Sequence, residues 1–519
     1  DREAYDSKCT SDPPDQGTGG VVKTTNGGIK WDFMNNGLTD MNVGSLVMLP
    51  ANPDILLAGA GNNACSPYTD GSQTKYTGGV FITTDGGKNW TKTLAKDIIT
   101  AVEFSPSNPQ IAYAGSRAYF YRSEDGGWTW EKVAGHTFPW GPAGVVSGFP
   151  IDILVDPIDP AILFVNNYGG SNVKSTDGGA TWQLASKGYT GALMFDIAAH
   201  PGGNNTVYAA ARSGVFRSMD GGDTWQGLTY PPAHLIESYS VAVHPTQPNI
   251  VLASQEEGGV LYRSTTGGTS WSQVDQIIPR NVGEKNGYKR FAFAPSNPQI
   301  VYGGTCREHN TLNGDNTAQS FGVRKSTDAG STWNPANGGK LGTTCINDLA
   351  VHPNKANTVY AATAASGLWK TEDGGTSWNK LNALTPSDVR SVAIDPGNPQ
   401  VVYVGIQQGG VYRSPDGGAK WNPLSAGMEP NDSIWALEID PTDSNTVYAG
   451  SFHTGVYVWD ASQSLWTHFN GGLRTRAVTD LAISSDGEVL YASTWGEGVF
   501  RLGEATTSDF SVFLPLMIR

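Results

Sequence analysis

Six side chains in this sequence have the chemistry of a metal site and share one recurring position. His200, His244, His352, Asp156, Asp395 and Asp440 each stand immediately before a proline. Imidazole and carboxylate together are ordinary ligands for divalent metals. Four arginines, Arg122, Arg217, Arg263 and Arg413, also share a position, just before a serine or its equivalent, and would suit an anion. A third set, led by Asp85, Asp125 and Asp177, would suit acid–base chemistry. Each of these chemistries needs its groups to converge. A residue that recurs once per structural repeat is instead spread along the repeat, one per unit. We therefore read the His/Asp set as turn formers and the arginines as a spaced ring. No metal ligand, catalytic residue or cofactor site is assigned.

The repeat that positions them reads Ser/Thr-x-Asp-x-Gly-x-x-Trp. Full copies carry Asp85, Asp125, Asp177, Asp220, Asp328, Asp373 and Asp416, closed by Trp90, Trp130, Trp182, Trp225, Trp333, Trp378 and Trp421. Asn26 replaces the aspartate in the first copy, 24–31, and Thr266 replaces it in 264–271. The segment 459–466 keeps only the final Trp. The Asp side chain is suited to accept hydrogen bonds from its own turn, Gly to a positive φ, and Trp to a buried anchor. Such a clasp needs no ligand to explain it, and box carboxylates aimed into their own turns cannot face each other across a substrate.

An apolar strand ending in proline (A), a Val-Tyr-Ala-Gly strand (B), an alternating strand before the clasp (C) and a strand from the Trp (D) make up each unit. Strand B recurs from Leu57 to Tyr491 in nine steps of about 48 residues. Four short strands at that period predict propeller blades. The 65 glycines and 16 tryptophans fit an all-β chain rich in tight turns.

These motifs resemble the BNR/Asp-box propellers, a group that includes sortilin, sialidases, xyloglucan-degrading glycosidases and photosystem II assembly factors. The resemblance covers roughly 20–503 and implies a fold more than a function. Ten repeats imply one ten-bladed ring, as in sortilin, with two five-bladed rings as the alternative. The domain reading is a tail 1–19, a propeller 20–503 and an apolar tail 504–519. Ring closure is expected to pair the hairpin 21–31 with strands 477–483 and 489–492. Segment 498–501 also reads as a C strand, which leaves eleven such strands for ten places. A sialidase needs an Arg-Ile-Pro motif, absent here. The xyloglucan glycosidases have two seven-bladed domains and a Thr-Asp-Ile-Gly-Gly-Ala-Tyr run, also absent. The photosystem factors carry a basic patch, whereas this chain has a net charge of −14. That charge also speaks against a nucleic-acid partner, and no apolar run is long enough for a transmembrane helix.

Strand alternation puts the B–C and D–A loops on one face, where the long insertions 61–77, 134–148, 276–289 and 305–320 fall. Binding is therefore expected there. The candidates are the aromatic Tyr68, Tyr76, Phe138, Trp140, Tyr288 and Trp435 and the acidic Glu256, Glu257 and Glu308, with Tyr230 and Asp432 nearby. Four cysteines and an opening Asp1 suggest a processed, secreted or cell-surface protein. Cys306–Cys345 is the preferred disulfide, leaving Cys9 with Cys65. The expected function is a non-enzymatic binding or scaffold propeller for a protein or polysaccharide ligand. The alternative is a glycoside hydrolase or carbohydrate-binding protein acting on extracellular polysaccharide. The apolar run 512–518 is too short to span a bilayer. The stretch 510–518 is expected to dock as an extended segment on a blade edge of its own ring or of a neighbouring subunit.

Overall fold

The computed structural model is all-β. It describes residues 19–502 except 62–77, 96, 117, 136–139, 142–148, 169–171, 186–192, 202–204, 212–213, 229–237, 256–258, 278–285, 308–320, 343, 472, 474 and 497. The 504–519 tail and the Cys9–Cys65 pairing lie outside these residues. Among the described residues no helix is long and apolar enough to cross a membrane.

Nine four-stranded antiparallel sheets and one three-stranded sheet follow one another, each with its strands in chain order. These are blades one to ten. Blade four runs Met194–Ala199 (A), Val207–Ala211 (B), Gly214–Ser218 (C) and Gln226–Gly227 (D). Blade ten is Val478–Ile483, Leu490–Thr494 and Gly498–Leu502. Segment 498–501 is therefore the C strand of blade ten. The surplus C strand is Val22–Lys23, which among the described residues pairs only with Asp32–Phe33. That hairpin does not join blade ten. It packs Val21, Met34 and Leu38 against Ala58, Phe81 and Trp90 of blade one.

Among the described residues the ten blades do not form a single ring. Blades one, two and three pack in series through their A strands, Val43–Met48, Ile99–Phe104 and Phe149–Val155. Blades four to ten pack in a second series, and blade ten closes onto blade four. Across that seam Ala482 and Tyr491 pack with Ile197, Ala209 and Trp225. Leu193 bridges Trp495, and the Ile197 amide donates to Asp480 Oδ2 at 3.3 Å. The result is a closed ring of seven blades preceded by an arc of three and a half. The clasp sequence is the same in both series, so it does not encode where a ring shuts. Side-chain packing between blades does.

Seven inner strands, Met194–Ala199, Ser238–Val243, Asn286–Phe293, Ile346–Val351, Val389–Ile394, Ile434–Ile439 and Val478–Ile483, line a central channel of about 480 Å³. Each inner strand carries a β-bulge near its start, as between Met194 and Asp196 or Ile434 and Ala436. A bulge adds one residue and turns it away from the ladder.

Candidate functional site

The recurrent sets resolve into local chemistry. In the clasp of blade two, Ser123 Oγ donates to Asp125 Oδ1 (2.8 Å) and accepts from Gly127 N (2.8 Å). Asp125 Oδ1 accepts from Thr129 N at 2.8 Å. The same bonds recur around Asp85, Asp177, Asp220, Asp328, Asp373 and Asp416, and around Asn26. These bonds hold the Asp85 and Asp373 carboxyls down to about 2; the largest cause is the hydrogen bond from Asn89 and Ser377, respectively. Trp90, Trp182, Trp225, Trp333 and Trp378 are buried, but Trp31 is exposed because no inner half-blade covers its hairpin.

The residues before proline act on their own turns. Asp156, Asp395 and Asp440 Oδ1 accept from amides two residues on. His244 and His352 use Nδ1 in the same way. Arg217 and Arg263 donate to carbonyls of the following blade, Gly267 and Ala329. Strand-B tyrosines latch blades similarly: Tyr113 to Pro160, Tyr208 to Gly267, Tyr302 to Ala356 and Tyr360 to Gly417.

What does converge is a ring at the open-loop end of the channel. The bulge residues of blades four to ten are Phe195, Tyr239, Lys289, Asn347, Arg390, Trp435 and Thr479. Phe452 and Trp495, from the B–C turns of blades nine and ten, fill the gaps. Together the aromatic members form one unbroken row. Tyr239 lies 4.4 Å from Phe195, which lies 5.8 Å from Trp495; Phe452 is 6.0 Å from Trp495 and stacks on Trp435 at 4.2 Å. A cation caps each end, with Lys289 over Tyr239 and Arg390 over Trp435. Trp495 is the most exposed member at 42%.

One residue further along each strand lies the floor of this mouth. Arg290 Nη1 donates to Asp196 (2.5 Å), Nε to Asp348 (2.8 Å) and Nη2 to Asp480 (2.6 Å). The aspartates also receive backbone N–H groups from the next blade: Val241 to Asp196, Val392 to Asp348 and Ile197 to Asp480. The Arg290 fork favours ionised Asp480, holding it low against burial. Asp196 is raised, by burial first. Glu438 stands two residues beyond Ala436, where the other six blades have alanine. Burial, then Asp480, pushes it up to about 8. A raised carboxyl favours the protonated folded state, so its contribution is present below the unfolded value and is lost as pH rises through about 8. Glu438→Gln is expected to match wild type near pH 4 and to exceed it in urea midpoint at pH 9. Equal midpoints at pH 9 would refute this.

The mouth was only partly legible beforehand. Of the expected loop residues, Trp435 belongs to it. Trp140 is buried, donating to the Ser116 carbonyl (2.7 Å) and packing on Phe120 and Trp182. Tyr288 is also buried, donating to Asp275, which is ion-paired with Arg324. Both are corrections. Each aromatic ring is enclosed by neighbouring strands and takes its polar partner inside, so neither is displayed. Asp432 is likewise enclosed by Ser451, Thr454 and Tyr457 hydroxyls. Tyr68, Tyr76, Phe138, Tyr230, Glu256, Glu257 and Glu308 lie outside the described residues. Cys306 and Cys345 form a disulfide, Cα–Cα 4.3 Å, joining blades six and seven. The floor went unread, although the tripeptide Asp-Ile/Leu-Ala recurs at 196, 348 and 480.

A family model described as Sortilin, neurotensin receptor 3 matches residues 171–302, and one for the BNR/Asp-box repeat matches 81–92. A xyloglucanase of Hypocrea jecorina is 32% identical over 153 residues, 28% of this chain and 18% of that enzyme. A xyloglucanase of Paenibacillus sp is 27% identical over 150 residues, 28% of this chain and 14% of that enzyme. The matched stretches are thus less than a fifth of either enzyme. Among solved structures, a GH74 enzyme of Niastella koreensis aligns over 93% of this chain and 87% of its own at 16% identity, TM-score 0.34. YCF48 bound to D1 peptide aligns over 61% and 94% at 15% identity, TM-score 0.45. With its clasp built into eight of ten successive antiparallel blades, the chain carries the BNR/Asp-box repeat in a β-propeller fold.

Proposed function

We propose that this protein is a secreted, carbohydrate-active propeller that binds a xyloglucan-type polysaccharide across the mouth of its seven-bladed ring. The observation that carries this reading is the accessible part of the aromatic row, Phe195, Trp495, Phe452 and Trp435. Aromatic faces bind the apolar faces of sugar rings, and a line of them suits a chain of sugars. The capping cations and Asn347 supply donors for hydroxyl groups. The xyloglucanase matches favour the carbohydrate alternative over a non-enzymatic protein scaffold. The Cys306–Cys345 disulfide supports an oxidising, extracellular setting.

Affinity electrophoresis or calorimetry with soluble xyloglucan tests the proposal. Trp495→Ala and Trp435→Ala are each expected to weaken binding by about tenfold or more, as loss of a central aromatic contact does. Release of reducing ends in the same samples decides whether the bound chain is also cut. Wild-type protein that binds no xyloglucan, or binds it equally well without both tryptophans, would overturn the reading.

A further inference from the structure

Large apolar side chains are exposed unevenly along the chain. Apart from Met219, Phe321 and Trp495, every one exposed by more than a third among the described residues lies before residue 165, in the three-and-a-half-blade arc. They cluster at its two ends. On blade three, strand B alternates: Leu163, Val165 and Asn167 are buried, while Phe164 and Asn166 are open. Phe164 occupies the position from which tyrosines in other blades latch the next blade, and it is 40% exposed. Leu154, on the neighbouring A strand, is 59% exposed. At the other end, Leu46 and Met48 of blade one are about half exposed, whereas Ile197, equivalent to Leu46, is buried against blade ten. The hairpin covers only the outer part of blade one, and its paired Val22 and Phe33 are themselves exposed.

We propose that the arc is a self-association surface, in which the blade-three face of one copy packs head-to-tail on the hairpin and blade-one face of a second copy. The occupant follows from the repeat. At each internal junction a forward blade face, such as Ala198 and Tyr208, meets a backward face, such as Val241 and Val251. The open ends of the arc are one forward face and one backward face. A forward face on one copy therefore matches the backward face on another. The contact continues the blade-to-blade packing already present in the arc. Head-to-tail contacts of this kind either close into a ring or extend.

Two variants of the full chain test this. Leu154→Asp with Phe164→Asp removes the forward face, and Leu46→Asp with Met48→Asp removes the backward face. All four side chains are exposed, so unchanged circular dichroism and melting should confirm folding. By sedimentation velocity at tens of micromolar, wild type is expected as a dimer or larger species and each variant alone as a monomer. An equimolar mixture of the two variants retains one forward and one backward face, and should give a one-to-one dimer and nothing larger. A monomeric wild type, meaning that other residues of the same chain cover these faces, would overturn the proposal. So would variants that still assemble alone, or variants that fail to pair when mixed.

Discussion

Arg290→Met is expected to be the most damaging single change in the seven-bladed ring. It leaves Asp196, Asp348 and Asp480 in the channel floor without their common cation. Asp196 and Asp480 side chains are each only 3% exposed, so the guanidinium, not water, is what solvates their charge. Breaking one side of a buried ion pair costs about 3–5 kcal/mol, because the abandoned charge stays buried. The floor also spans the seam: Arg290 of blade six holds blades four, seven and ten together. Loss should therefore appear at ring closure, as faster hydrogen exchange in blades four and ten. Arg290→Lys should rescue little, since a point charge cannot serve three carboxylates from a planar fork. Adding Asp196→Asn and Asp480→Asn to Arg290→Met should recover part of the loss. A urea midpoint unchanged in Arg290→Met would sink the idea that this floor closes the ring.

The second large effect is expected at Trp182. Its indole is 7% exposed and sits 4.8 Å from Phe120 and 5.0 Å from Trp140, so it ties blade three to blade two. Trp182→Ala should cost about 3–5 kcal/mol, as truncation of a buried Trp does. Trp31→Ala removes the same residue type from the same clasp position. Because Trp31 is 55% exposed, that change should be close to neutral. Repeat proteins unfold locally, so exchange resolved by blade is a better readout than a single melting temperature. Equal effects at Trp31 and Trp182 would show that the clasp, and not the packing beneath it, sets the stability.

Much of the fold was legible because its determinants are local. Each clasp contains its own acceptor, its own positive-φ glycine and its own anchor within eight residues. Strand order, blade length and the turn role of His244 and Asp395 follow from residues close in sequence. The spacing of these His, Asp and Arg sets, one to a blade, also follows from periodicity. Trp140 and Tyr288 were misread because a loop position does not reveal what packs over it. Both side chains reach back into the sheets, where the Ser116 carbonyl and the Asp275 carboxylate accept their hydrogen bonds.

The sequence by itself determined the blade: four antiparallel strands closed by a clasp, repeated about every 48 residues. It did not determine the ring. Whether blade ten meets the N-terminal hairpin or blade four depends on contacts between residues hundreds of positions apart, such as Asp480 with Ile197 and Arg290. Only the tertiary structure brings the seven bulge residues into one mouth and the aspartates around one arginine. The physical reason is the difference in range. A turn is satisfied by its own backbone, whereas a channel exists only after every blade has found its neighbour.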